Sequence, residues 1–152
     1  MRLNFGEIEM LVQDVFQKNS GFVDKVLDGD SIEKVISVMA LNKATRTVFV
    51  TDEEKNLVGV ITIHEIFDSI FDEMKPKILK RFNKKKNLKA RDIMRIPITI
   101  SLDDDLDDAL RAAKASNLQD LPVCKDGKIV GELDCFELLG GLVSKDRNYF
   151  EE

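Results

Sequence analysis

Residues 31–67, SIEKVISVMALNKATRTVFVTDEEKNLVGVITIHEIF, and residues 105–139, DLDDALRAAKASNLQDLPVCKDGKIVGELDCFELL, carry one pattern twice. Each runs amphipathic helix, apolar strand, polar turn, apolar strand, helix. Ile32 matches Leu106 and Val48 matches Pro122, both 74 positions on. Gly59 matches Gly131 at 72, because the turn Asp52 to Asn56 is two residues longer than Asp126 to Lys128. A length change confined to an exposed hairpin is what a structural repeat tolerates. Two copies of a unit too small to bury its own apolar face then make one module by packing on each other.

Around this core the local signals are consistent. Ser31 is a good N-cap, with Lys34 standing where a capping box would have Glu. Ile32, Val35, Ile36, Met39 and Ala40 keep helical spacing, as do Leu106, Ala109, Leu110 and Ala113. Thr47–Thr51 and Leu57–Thr62 read as a hairpin, and Asp126-Gly127 marks the matching turn. Helical spacing returns through Ile63, Ile66, Phe67, Ile70 and Phe71, and through Phe136, Leu138, Leu139 and Leu142. Upstream, Leu11, Val12, Val15 and Phe16 predict a helix over 7–18, closed by Asn19-Ser20-Gly21. The mixture of strand and helix predicts an α+β (α/β-like) fold. The expected divisions are an N-terminal helical segment at 1–21, a first repeat at 22–74, a basic connector at 75–89, a second repeat at 90–145 and a tail at 146–152.

Composition limits the function. The chain has 152 residues, 43% of them hydrophobic and 34% charged, which is enough for a buried core under a solvated surface. Its longest apolar run, Leu138 to Val143, is far short of the roughly 20 residues that span a bilayer, which predicts no membrane association. Acids at Glu7, Glu9 and Asp14 interrupt the N-terminal apolar residues and argue against a secretion signal, so a cytoplasmic location is expected. Cys124 and Cys135 read as small apolar side chains of a reducing compartment. With the single histidine, His64, in the other repeat, no metal site is expected. Residues 75–91 hold nine of the 23 basic residues and no acid, against a net charge of −5 overall. The segment lacks an aromatic platform beyond Phe82, which argues against nucleic-acid binding and leaves a solvated helix or an acidic or phosphate contact. The acids at Asp103, Asp104, Asp105, Asp107 and Asp108 open a helix, where carboxylates satisfy free N–H groups. No Gly-rich phosphate loop, nucleophilic triad or metal-ligand spacing is present, so no catalytic residue is expected.

The doubled pattern resembles the CBS domain, a β-α-β-β-α unit found in tandem as a pseudo-twofold pair, the Bateman module. The likeness rests on Leu57-Val58-Gly59-Val60-Ile61-Thr62, on Leu121-Pro122-Val123 and on Asp126-Gly127-Lys128-Ile129-Val130-Gly131. The lead-in Ala90-Arg91-Asp92-Ile93-Met94, followed by Ile98-Thr99-Ile100, adds to it. The resemblance covers residues 22–145 and implies a regulatory module and not an enzyme. It implies an adenosine-containing ligand in the inter-repeat cleft (AMP, ADP, ATP or S-adenosylmethionine), no other cofactor, a homodimer joined through helices and a regulated protein partner. The alternative is a degenerate pair serving as a dimerisation or protein-interaction element without nucleotide.

The resemblance also names positions. A hydroxyl at a helix N-terminus meets phosphate and a carboxylate one turn later accepts ribose hydroxyls, which falls on Thr62 and Glu65 and on Asp134 and Glu137. Glu65 stands where the family has Asp, which sets the ribose farther out. Asp134 stands where a phosphate would approach; it caps a helix well and repels phosphate, so the second site is expected to reject a nucleotide but admit a nucleoside. Arg46, Thr47 and Val48, and Gln119, Asp120, Leu121 and Pro122, stand where backbone meets purine. Val26 and Leu27, with Thr99 and Ile100, occupy the lead-in strands.

Overall fold

The computed structural model describes residues 10–16, 23–42, 46–71 and 88–145. The expected connector helix, its apolar ridge at Met74, Ile78 and Phe82, and the tail at 146–152 lie outside the described residues, as do most of the residues beyond Val15 in the expected first helix. The elements in chain order are α1 (Val12–Val15), β1 (Lys25–Leu27), α2 (Ile32–Leu41), β2 (Thr47–Thr51), β3 (Leu57–Thr62), α3 (Ile63–Phe71), α4 (Ala90–Ile93), α5 (Leu106–Ser116), β4 (Asp120–Lys125), β5 (Lys128–Asp134) and α6 (Cys135–Lys145). This is an α+β fold. Both hairpin strands of the first repeat begin and end where the apolar runs and the polar turn between them place them.

The chain divides into two compact units that cut across the repeats. One holds residues 23–97 with 127–129; the other holds 1–22, 98–126 and 130–152. In the first, β1 runs parallel to β2 and β2 antiparallel to β3, in the order β1-β2-β3. Every residue of β2, TVFVT, is buried, so both faces of that strand are covered. The β-branched and apolar run suits such a strand. Its core is Val26, Val35, Val48, Val50, Ile61, Ile66 and Ala90, joined by Met39, Ile70, Ile93 and Met94. Each aliphatic side chain so buried contributes about 1.5–3 kcal/mol.

Strands β4 and β5 form a two-stranded sheet, with β4 and residues 130–134 of β5 in the second unit, and its turn, Asp126 (φ 53) and Gly127 (φ 78), has the two positive φ angles of a type I′ hairpin. The lead-in strand expected at Thr99 and Ile100 is here one parallel bridge, Ile100 to Val123. The Ile100 N–H donates to the Pro122 carbonyl at 3.0 Å, and the Cys124 N–H donates to the Ile100 carbonyl at 2.8 Å. Pro122 stands where the first repeat has Val48 and carries no N–H, leaving this strand one donor short.

Each unit also contains a four-residue leader helix, and the leaders are exchanged. In α4 the Ala90 and Arg91 N–H groups donate to the carbonyls of Asp30 and Asp28, while the Ile32 N–H donates to the Leu88 carbonyl. In α1 the Val12 and Gln13 N–H groups donate to Asp104 and Leu102, while the Leu106 N–H donates to Met10. The two sets correspond bond for bond. The leader ahead of the first repeat thus serves the second, and the leader ahead of the second serves the first. Helix α1 begins at Val12 because Leu11 is engaged in a bridge to Asp105.

Candidate functional site

Where β3 runs into α3, the sequence Thr62-Ile63-His64-Glu65 forms a reciprocal helix cap. The Thr62 hydroxyl accepts the His64 N–H at 3.2 Å, and Glu65 Oε2 accepts the Thr62 N–H at 2.7 Å. This is the Thr-x-x-Glu capping box, in which two otherwise orphaned N–H groups find partners. The Thr62 hydroxyl also donates to Glu65 Oε2 at 2.5 Å. The other carboxylate oxygen, Oε1, lies 2.8 Å from Arg95 Nε. Arg95 is held by its backbone, which exchanges two 3.0 Å hydrogen bonds with Val60 on β3. The Glu65 side chain is 12% exposed and that of Arg95 37%, so the carboxylate is sheltered, and the Arg95 Nε that faces it is buried as well.

Strand pairing brings further candidates to this end of the sheet. Thr47 stands opposite Thr62 and Val48 opposite Ile61; both are buried, and Arg46 beside them is exposed. The arrangement offers a hydroxyl, a carboxylate with both oxygens oriented, and a cation, at the N-terminus of a nine-residue helix. A helix N-terminus with a neighbouring guanidinium favours an anion, and an oriented carboxylate favours hydroxyl donors. Val26 and Leu27 are not part of this group. They pair with Val50 and Thr51, about four residues, or roughly 13 Å, along the sheet from Thr47, and line a different hollow.

The second repeat repeats the device with different chemistry. Asp134 Oδ1 accepts the Phe136 N–H at 2.6 Å, and Glu137 Oε2 accepts the Asp134 N–H at 3.0 Å. Asp134 is therefore the cap of α6, in agreement with the sequence reading. The Cys135 N–H donates to the Gln119 carbonyl at 2.8 Å, so the start of β4 adjoins this cap. Gln119 and Thr99 are exposed, whereas Asp120, Leu121, Pro122 and Ile100 are buried. Cys124 and Cys135 are not in a disulfide, and burial pushes the Cys124 thiol upward from its ordinary pKa. Among the described residues no cluster of His, Cys, Asp and Glu is arranged to hold a metal, and no helix is long and apolar enough to cross a membrane.

Sequence reasoning missed Arg95. The signal was present, since it is the one charge inside the apolar run Ile93-Met94-Arg95-Ile96-Pro97-Ile98. Without the exchanged leader, nothing ties that charge to Glu65.

Comparison with known proteins agrees with this architecture. The CBS domain family model matches residues 21–72 and again 90–144. A CBS domain-containing protein from Thermotoga maritima is 28% identical, with 91% of this chain and 97% of that one covered and a TM-score of 0.74. The CBS domain protein from Pyrobaculum aerophilum complexed with AMP is 17% identical, covering 89% and 99%, TM-score 0.68. CBSX2, also solved in complex with AMP, is 22% identical, covering 88% and 96%, TM-score 0.66. No curated protein sequence matches the chain. The family model accounts for most of the sequence in two copies, each with its hairpin and capped helix, and the chain belongs to the CBS domain family.

Proposed function

We propose that this CBS pair is a regulatory module that binds an adenosine-containing ligand (AMP, ADP, ATP or S-adenosylmethionine) at the Thr62 end of its first repeat, with no catalytic step of its own. The observation that carries this reading is the Thr62, Glu65 and Arg95 group. Ribose hydroxyls donate to Glu65, one of them replacing the Thr62 hydroxyl, and the freed hydroxyl together with Arg95 meets the phosphate. The AMP complexes of the Pyrobaculum protein and of CBSX2 support the ligand class. At the second junction, Asp134 and Glu137 put two carboxylates where a phosphate would come, so one nucleotide per chain is expected.

The test is calorimetry with the four compounds, with and without magnesium, on the wild type and on Glu65→Gln and Arg95→Gln. Binding that raises the melting temperature and weakens at least about tenfold in either variant supports the reading. Absence of heat and of any melting shift with all four compounds overturns it.

The module is also proposed to work as a homodimer. On α3, Ile63, Phe67 and Phe71 recur every fourth residue and are 51%, 46% and 62% exposed. On α6, Phe136 and Leu139 are 72% and 51% exposed. Exposed apolar stripes of this kind mark contact surfaces. A second reading, a pair kept for association without nucleotide, is favoured by one observation: both capping boxes already use the hydroxyl and carboxylate groups a nucleotide would need. A dimer in light scattering alongside silent calorimetry would select it.

A further inference from the structure

At the opposite end of the first sheet from Thr62 lies an open hollow of about 400 Å³ that belongs wholly to the unit of residues 23–97 and 127–129. Lys25, Lys34, Lys55 and Lys128 line it, with Asp30 as the only carboxylate among the described residues of its wall. The rest of the lining is Thr51, Val26, Leu27 and Ile129. A volume of this order holds a small organic molecule. In a chain whose net charge is −5, four lysines around one cavity are a strong local departure.

The four come from separate elements, and the fold fixes the backbone of each. Lys25 is in β1 and Lys34 in the first turn of α2, where Ser31 Oγ accepts its N–H at 3.2 Å. Its ammonium lies 3.1 Å from Asp30, and Lys128 acts electrostatically on the Asp52 carboxylate, which lies outside the described lining. Lys55 has a left-handed φ of 69, held by the Asp52 carbonyl, which accepts its N–H at 3.0 Å, and by the Asp52 carboxylate, which accepts the Asn56 N–H at 2.8 Å. A long side chain in that backbone region is strained, and such strain gathers at working sites. Lys128 follows the second hairpin turn, and its bridge to Asn56, with the Leu57 N–H donating to the Gly127 carbonyl at 2.9 Å, sets it beside Lys55.

We propose that this hollow is a second ligand site, separate from the Thr62 group, for a small organic phosphate. The anionic head lies among Lys25, Lys55 and Lys128, the Thr51 hydroxyl adds a hydrogen bond, and the apolar body lies on Val26, Leu27 and Ile129. An anion relieves the mutual repulsion of the lysines, which supplies the driving force. The apolar wall separates an organic phosphate from the inorganic ion. The inference does not rest on nucleotide binding at Thr62.

The experiment titrates the full chain with phenyl phosphate and with inorganic phosphate at low ionic strength, following backbone amide NMR shifts and calorimetry. Shifts are expected at Leu27, Thr51 and Ile129, with phenyl phosphate binding at least about threefold tighter than inorganic phosphate. Lys55→Gln with Lys128→Gln weakens it about 25-fold, at roughly fivefold per charge. Glu65→Gln and the triple change Lys84→Gln, Lys85→Gln and Lys86→Gln leave it unchanged, which separates this site from the Thr62 group and from the basic connector. Equal binding of the two phosphates, insensitivity to the paired lysine substitution, or loss in the connector variant overturns the proposal.

Discussion

The first repeat ends its hairpin in Thr62 and Glu65, and the second ends its own in Asp134 and Glu137. Both junctions perform one structural task, closing the N-terminus of the following helix with a side chain at the cap and a carboxylate three residues on. They differ in charge. The first has one carboxylate and a guanidinium at 2.8 Å; the second has two carboxylates. The leaders explain the guanidinium. Aligned on their matching bonds, Leu88-Lys89-Ala90-Arg91-Asp92-Ile93-Met94 corresponds to Met10-Leu11-Val12-Gln13-Asp14-Val15-Phe16, with Asp92 and Asp14 accepting the Lys89 and Leu11 N–H groups alike at 2.8 Å. The next position is Arg95 in one leader and Gln17 in the other, the latter outside the described residues. The guanidinium that sets the first junction apart is therefore supplied by a residue outside the hairpin, while the extra carboxylate of the second is Asp134, within it.

The comparison breaks most visibly in the cores. Phe49 and Val123 occupy matched positions and are both fully buried. Phe49→Ala is expected to lower the urea-derived unfolding free energy by about 3–5 kcal/mol, and Val123→Ala by about 2 kcal/mol. Equal losses would overturn this order and show that the core around Val123 is the more sensitive for the volume removed.

Substitution at the caps sharpens the electrostatic difference. Glu137→Ala removes a cap and is expected to cost about 1 kcal/mol. Glu65→Ala removes a cap and also leaves a part-buried guanidinium without its carboxylate, for about 2 kcal/mol in total. The order is checked by thermal melts of the two variants against wild type, and a reversed order would remove Arg95 from the account.

The smallest effect concerns pH. Burial alone would raise the Asp30 carboxyl, but the Leu27 N–H and the Lys34 ammonium outweigh it and hold the group below the ordinary carboxylate pKa. Hydrogen bonds from the Asn56 side chain and backbone lower Asp52, and one from the Ser101 hydroxyl lowers Asp103. A group whose folded pKa is depressed contributes stability above its unfolded value, near 3.9, and loses it as pH falls through the folded value. Stability is therefore expected to decline on acidification below about pH 4, with a shallower slope in Asp30→Asn. An unchanged slope would mean that Asp30 carries none of the dependence.

Much of the fold could be read directly. The Asp126-Gly127 turn, the strands Thr47–Thr51 and Leu57–Thr62, and the helical stripes follow from turn chemistry and periodicity, which act over a few residues. Asp134 as a cap followed from the same local logic. The same local logic covers the Thr62 and Glu65 cap, at positions where the family resemblance implies a ribose contact. The leader echo is faint in the sequence because the two segments share little beyond one aspartate and an apolar spacing over seven residues. The exchange of leaders, the Arg95 and Glu65 pair and the four lysines of the hollow depend on chain segments distant in sequence, from about 30 residues apart for Arg95 and Glu65 to over a hundred for Lys25 and Lys128, and no local pattern reports on those.

The leader exchange has a practical consequence for dissecting the molecule. A cut at residue 90, where the second family match begins, would take from the first half the segment that satisfies Asp28 and Asp30 and packs Met94 against the bare α-carbon of Gly59. A first half meant to stand alone has to run on through Pro97. The second half is not a continuous piece of polypeptide at all: it needs the opening residues of the chain supplied again, either as a separate peptide or grafted ahead of Ile98.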